Sequence, residues 1–184
     1  MSVHYVSFSA EINPNTTESL IAAMATLCNQ GATEINLLLS TPGGSVMHGF
    51  TIYNTLRGLP VKLITHNVGN VDSIGNVIFL AGAERYACPN STFMFHGVGF
   101  DLNGQFRLED KFLRERLDSI AADHKRIGDI IGKHSTLETG DVVQLFTEAR
   151  TKDAAWALSV GIIDAVREAQ IPKGVPIHSL VFNR

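Results

Sequence analysis

Ile35-Asn-Leu-Leu-Leu-Ser-Thr-Pro-Gly-Gly-Ser45 is the stretch on which the fold turns. Ile35 to Leu39 is short and nearly all apolar, the pattern of a strand covered on both faces and so of a parallel sheet. A Pro-Gly-Gly turn follows. Behind it, the spacing predicts a helix from about Val46 to Leu59, broken by Gly58-Leu59-Pro60, and then a second strand over Val61 to Thr65. Strand, helix and strand in that order make a β-α-β unit. Upstream, Val3 to Phe8 alternates as a strand does. Asn15, three residues before Glu18, reads as an N-cap with a capping-box partner, and Leu20, Ile21, Met24, Leu27 and Cys28 give the following helix an apolar face that Gly31 closes. Downstream the order repeats, with an apolar helix from about Ser73 to Ala83 and short strands at Arg85 to Ala87 and Ser91 to Phe95. The alternation predicts an α/β fold, helices packed on largely parallel strands.

The segment from Phe106 to Ile131 behaves differently. Leu113, Leu117, Ile120, Ile127 and Ile131, with His124 in the same register, step by fours and threes and form the seam of one long helix. That seam serves equally for packing on the chain's own core or for meeting a second subunit. Asp153 is placed to cap a short helix, Ala154 to Ser159, terminated by Gly161, and Pro172, Gly174 and Pro176 predict an extended tail from about residue 170.

The 184 residues suffice for one sizeable core, and no composition break divides residues 1–184 into two domains. With 45% hydrophobic and 18% charged residues the chain is ordinary globular material. A net charge of -3 and a pI near 6.1 supply no basic footprint for nucleic acid and no polybasic stretch for an anionic membrane. Met1 to Ala10 has neither the charge nor the apolar run of a signal peptide, so a cytoplasmic location is expected. Cys28 and Cys88 are the two cysteines, and no disulfide is expected. The histidines lack metal-ligand spacing, so neither a metal nor another cofactor is expected.

Three places concentrate residues fit for chemistry. Ser40 to Ser45 combines paired glycines, which let a backbone approach a ligand closely, with the free N–H groups of a following helix start. The same residues also make an ordinary strand-to-helix turn. Asn67 to Asn76 leaves a strand and enters a helix, with Ser73 in its first turn and the Ile74 N–H lacking an intrahelical acceptor. Both features favour an alkoxide and a nearby oxyanion, although Asp72 or Ser73 would equally serve as a plain N-cap. Val71, two residues before Ser73, stands where the nucleophile elbow of an α/β-hydrolase carries Gly, so that scaffold is not matched. In Phe93 to Gly99, His96 closes an apolar strand and is followed by two glycines. A Ser on a helix start ahead of it makes it a candidate general base.

Taken together, these segments resemble the Clp protease proteolytic subunit, a family with the crotonase-like α/β spiral of β-α-β units and a protruding handle helix. The family's Gly-x-Ala-x-Ser-x-Gly stretch corresponds to Gly69 through Gly75 and places its nucleophile on Ser73. Its Met-x-His motif corresponds to Met94-Phe95-His96 and places its base on His96. Its Ser-Pro-Gly-Gly turn corresponds to Ser40 to Gly44, so the resemblance implies an oxyanion hole from the N–H groups of Gly44 and Ile74. The likeness continues through Ala81-Gly82-Ala83, Pro89-Asn90-Ser91, Gly104-Gln105 and Ala154-Ala155 to Gly161-Ile162-Ile163-Asp164, collinear from about Val6 to Val166.

What the resemblance implies is a serine endopeptidase acting on peptides or unfolded proteins inside a homo-oligomeric ring, a heptamer or two stacked heptamers meeting through the handle helix. A separate Clp-type ATPase would consume the ATP, since this chain has no Gly-x-x-x-x-Gly-Lys-Ser/Thr loop. The first strand begins almost at Met1, where the family carries a further segment that contacts the ATPase. The Asp that orients the family's His has no counterpart at the expected place; Glu148 is the first candidate, Asp141 the reserve, and no acidic partner the third possibility. Asp72 stands beside the nucleophile and is expected to point away from the site. Two further readings compete: a Clp-like scaffold subunit with weak or no activity, and a crotonase-type enzyme acting on a coenzyme A thioester.

Overall fold

A computed structural model describes residues 2–100 and 109–182 of the chain. The first strand, β1 (Val3–Ser9), is followed by α1 (Pro14–Asn29), β2 (Glu34–Thr41), α2 (Val46–Gly58) and β3 (Lys62–Asp72). β1 pairs with β2 and β2 with β3, all parallel, so the predicted β-α-β unit is present twice in succession. Ile35 to Leu39 is buried at every position, as a strand covered on both faces must be.

β3 is longer than the sequence suggested. Its first half, Ile64 to Asn67, pairs with β4 (Glu84–Ala87); its second half, Asn70 to Asp72, pairs with β5 (Thr92–Met94). The pairing of β2 with β3 shifts register between Leu39 and Thr41 and resumes with Thr41 opposite Val71. Ser73 follows directly, at the carboxyl end of β3, where open parallel sheets place their ligands. The helix predicted over Ser73 to Ala83 is a short buried helix, α3 (Gly75–Phe79).

Beyond β5 come α4 (Asp110–Lys133), α5 (Thr139–Glu148), β6 (Thr151–Asp153), α6 (Ala154–Ser159), β7 (Ala165–Val166) and β8 (Ile177–Ser179). The hydrogen-bonded order is β6-β5-β3-β2-β1-β8, with β4 beside β3 and β7 beside β4; the β5–β6 pair is antiparallel. The extended tail thus contributes a strand. β8 pairs with β1, and Phe182 sets its ring edge against Phe8.

Two boundaries differ from expectation for local reasons. The N-cap of α1 is Asn13 rather than Asn15, because Pro14 at the first helical position fixes the entry and Thr16 completes the capping box. The long helix begins at Asp110; the expected start near Phe106 lies outside the described residues. Its seam divides in two. Ile127 and Ile131 are buried in the core, whereas Leu113 and Leu117, at 41% and 64% exposure, are not covered by this chain. Asp153 caps α6 through a 2.8 Å bond from the Trp156 N–H, as the sequence predicts. Both cysteines are free thiols. No helix among the described residues is long and apolar enough to cross a membrane.

Candidate active site

Ser73 sits at φ 57°, a left-handed backbone that a non-glycine residue adopts only when its surroundings hold it there. They do so on three sides. The Ser73 N–H donates to the Met94 carbonyl at 2.8 Å, fastening the end of β3 to the end of β5. The Asn76 N–H and side-chain amide both donate to the Ser73 carbonyl, at 3.1 and 3.0 Å. On the third side lies Gly43, where a methyl group would stand 2.6 Å from Ser73 Cβ and 3.2 Å from its Oγ. That glycine is required by space as well as by its φ of +90°.

The turn after β2 is anchored independently of the serine. Ile12 N–H donates to the Gly43 carbonyl at 2.7 Å, and Ser45 N–H returns to the Ile12 carbonyl at 2.8 Å. Asn70 ties the turn to β3: it donates to the Thr41 carbonyl at 3.1 Å and accepts from Ser40 Oγ at 3.1 Å. Neither the Gly44 nor the Ile74 N–H has an acceptor among the described residues. Both residues line one cavity of about 120 Å³ together with Ser73 and His96. Two backbone donors without an acceptor thus belong to residues that line the same cavity as Ser73. Because α3 spans only five residues, its macrodipole adds little, and the donors act as individual N–H groups.

His96 follows β5 on a segment fixed on both sides of it. Phe95 is buried with its ring edge toward Trp156, Gly97 N–H donates to the Phe146 carbonyl at 3.2 Å, and Val98 N–H donates to His124 Nε2 at 2.7 Å. His96 is left facing outward. Its Nδ1 lies 2.7 Å from the Gly97 carbonyl, which can only accept, so Nδ1 is the donor of that bond and the tautomer of the neutral ring is the one with Nε2 unprotonated. No hydrogen bond joins Ser73 to His96 among the described residues; they share the cavity without touching.

The acidic candidates are elsewhere. The Glu148 carboxylate accepts from Gln144 Nε2 at 2.6 Å and from Lys152 Nζ at 3.3 Å, and these bonds, Gln144 first, hold it below the usual carboxylate range. No hydrogen bond joins it to His96 among the described residues, whereas the sequence made it the first candidate for that role; its carboxylate is bonded to its i−4 and i+4 neighbours instead. Asp141 is likewise occupied, accepting the Glu138 N–H at 2.9 Å in the cap of α5. Asp72 does not cap a helix; its carboxylate accepts from the Asn70 amide at 2.6 Å and does not line the cavity. Sequence reasoning gave no role to Asn70 and Asn76, whose side chains bind backbone carbonyls beside the serine. Their position within Asn67 to Asn76 was the available signal.

The rest of the cavity wall is Val46, Phe95, Val98, Gly99, Ile127 and Phe146, apolar apart from backbone. Among the described residues no group of three or more His, Cys, Asp and Glu is placed to hold a metal ion.

Comparison with known structures and families agrees with this architecture. A point mutant of ClpP1 from Listeria monocytogenes superposes with a TM-score of 0.80 at 20% sequence identity, over 91% of this chain and 92% of that one, which establishes a shared fold. The family model for Clp protease matches residues 1–170. The collinear motifs, the spiral of β-α-β units and the family match over nearly the whole chain lead to one conclusion: this protein belongs to the Clp protease family.

Proposed function

We propose that this chain is a serine endopeptidase in which Ser73 attacks the peptide carbonyl and His96 Nε2 takes the hydroxyl proton. The observation that carries the reading is the convergence, at one cavity, of a strained Ser73 with two backbone N–H groups that have no other acceptor. As the tetrahedral intermediate forms, the carbonyl oxygen becomes an oxyanion and receives the Gly44 and Ile74 N–H groups. His96 then returns the proton to the leaving amine, and water hydrolyses the acyl-enzyme by the same route. The reaction needs no cofactor. The apolar wall formed by Ile74, Phe95, Ile127 and Phe146 suits an apolar side chain next to the scissile bond.

The orienting group on His96 is the Gly97 carbonyl rather than a carboxylate. A carbonyl fixes the tautomer but stabilises the imidazolium less than an anion does, so slow turnover is expected. For Ser73 to hand over its proton, the exposed His96 side chain must swing toward it, and substrate filling the cavity supplies the occasion. The exposed Leu113 and Leu117 on α4 support assembly with further copies, consistent with the rings that the family forms around its substrates. Peptides or unfolded chains delivered by a separate ATPase are the expected substrates.

One specific observation favours the second reading, a scaffold subunit without activity: Ser73 and His96 are not hydrogen-bonded to each other. Labelling with a fluorophosphonate probe decides between the two, with wild type beside Ser73→Ala and His96→Ala and the modified peptide identified by mass spectrometry. Labelling confined to Ser73 and lost in both variants supports the peptidase; an unlabelled Ser73 in assembled protein supports the scaffold.

A further inference from the structure

Asn76 is 2% exposed, in the first turn of α3. Its side-chain amide donates to the Ser73 carbonyl at 3.0 Å and to the Met94 carbonyl at 2.8 Å. Both partners can only accept, so the NH₂ end must face them and the orientation of the amide is fixed. Neither carbonyl depends on it. The Ser73 carbonyl already receives the Asn76 backbone N–H at 3.1 Å, and the Met94 carbonyl already receives the Ser73 N–H at 2.8 Å. Meanwhile Asn76 Oδ1 is fully buried without a donor. A buried acceptor with no donor is a standing cost to the fold, incurred here to give second bonds to two groups that had their first.

We propose that Asn76 is a positioning residue for the reaction, a clamp that fixes the spacing between the strand end bearing Ser73 and the strand end leading to His96. The proposal rests on the reading of Ser73 as nucleophile. The two carbonyls belong to the serine itself and to the residue two before the histidine, so one amide group spans both halves of the catalytic pair. Without the clamp, the β3–β5 pairing up to Asp72 and Met94 remains, but beyond the end of that ladder the Ser73–Met94 backbone bond alone ties Ser73 to β5 among the described residues. The left-handed Ser73 is also less firmly determined, and the next best arrangement relaxes it away from the cavity.

The test is Asn76→Leu, which keeps the branched shape of the side chain and removes both donors and the unpartnered acceptor, with the smaller Asn76→Ala as a second variant. Two quantities are read: amide hydrogen exchange at Ser73 and the second-order rate of fluorophosphonate labelling, each beside the melting temperature. In Asn76→Leu the Ser73 amide is expected to exchange about tenfold faster or more at an unchanged melting temperature, since only a local opening is released. Labelling is expected to slow about 10- to 100-fold, the effect of a displacement of under an ångström. Unchanged exchange at Ser73 in a variant whose wild-type parent labels normally would overturn the clamp alone. Exchange and labelling that change only in proportion to lost global stability, in both variants, would also overturn it. A wild type that does not label at Ser73 would sink the nucleophile reading, and the catalytic role of Asn76 with it, whatever the exchange rates.

Discussion

Gly43→Ala is the substitution from which most can be calculated. At φ +90° an alanine is strained wherever it is placed, by about 1–2 kcal/mol. Its methyl group would in addition stand 2.6 Å from Ser73 Cβ and 2.8 Å from the Asp72 carbonyl oxygen, closer than real contacts allow. Neither neighbour is the free end of a flexible chain: one is backbone, the other the first side-chain atom of a residue held from three sides. Relieving that overlap adds about 1–3 kcal/mol. The expected loss of stability is therefore about 2–5 kcal/mol, measured by urea unfolding. The residual folded protein must separate Gly43 from Ser73 by some tenths of an ångström, and with the turn goes the Gly44 N–H. Loss of one oxyanion donor costs about 100- to 1,000-fold in rate, so labelling of Ser73 in folded protein should fall by about that factor. Gly58→Ala is the matched control, because no atom lies within 4 Å of its added methyl group and it ends a helix. It should gain up to about 1 kcal/mol and label normally. A Gly43→Ala protein that labels within about threefold of wild type at equal folded fraction would refute the assignment of this turn to the oxyanion hole.

Three other outcomes are expected. Ser73→Gly abolishes labelling yet leaves stability equal or up to about 1 kcal/mol higher, because release of the left-handed strain at φ 57° outweighs the added chain entropy of glycine; a clear loss of stability would show the backbone is not strained there. Glu148→Gln leaves the labelling rate within about threefold, since its carboxylate serves Gln144 and Lys152, whereas loss of a true orienting acid costs about 10⁴-fold. Burial, with Arg85, Arg57 and Lys133 nearby, lowers His134 to about 4, while Tyr53 Oη shares a 3.1 Å hydrogen bond with its Nε2. A folded-state pKa below the unfolded one means the unfolded chain binds the extra proton, so this contribution is complete above about pH 6.5 and is lost as pH falls toward 4. It amounts to about 1–2 kcal/mol once partial exposure is allowed for; His134→Phe should flatten that part of the pH–stability curve, and an unaltered slope would refute the account.

The parts of this fold that were legible in sequence are those where one local signal suffices. Ile35 to Leu39 admits few readings other than a strand buried on both faces, and Asp153 with Gly161 brackets a helix that is found at the predicted residues. What escaped depends on partners distant in the chain. β8 forms because β1 offers an unpaired edge some 170 residues upstream, and Ile177 to Ser179 alone is too short and too irregular to announce it. β3 runs on to Asp72 because β4 and β5 share its length in succession, an arrangement that no periodicity within Lys62 to Asp72 encodes. The five-residue α3 was overestimated for the converse reason: Val77 to Leu80 is apolar on every side because it is buried on every side, which mimics a longer helix.

In the site, residue identity carried the proposed chemistry, and backbone geometry carried what the sequence could not express. Ser73 and His96 stand out by type and by neighbouring glycines, but the left-handed turn at Ser73 follows from Gly43, Asn76 and Met94 acting together. Of the three possibilities for the orienting group, a carboxylate can be sought by residue type, whereas a backbone carbonyl one residue away leaves no mark in the sequence, because every residue has one. That substitution has a chemical consequence. A carboxylate gains energy as the imidazole becomes an imidazolium; a carbonyl gains much less, so its help is nearly uniform along the reaction and only its orienting part is catalytic. On the proposed reading, Gly97 in the third position orients the imidazole, which must still swing toward Ser73, while giving up most of the electrostatic term. On the same reading, the proposed oxyanion donors of Gly44 and Ile74 would supply a larger share of the acceleration, which would make the turn that presents Gly44, rather than any acidic residue, the sensitive element of the site.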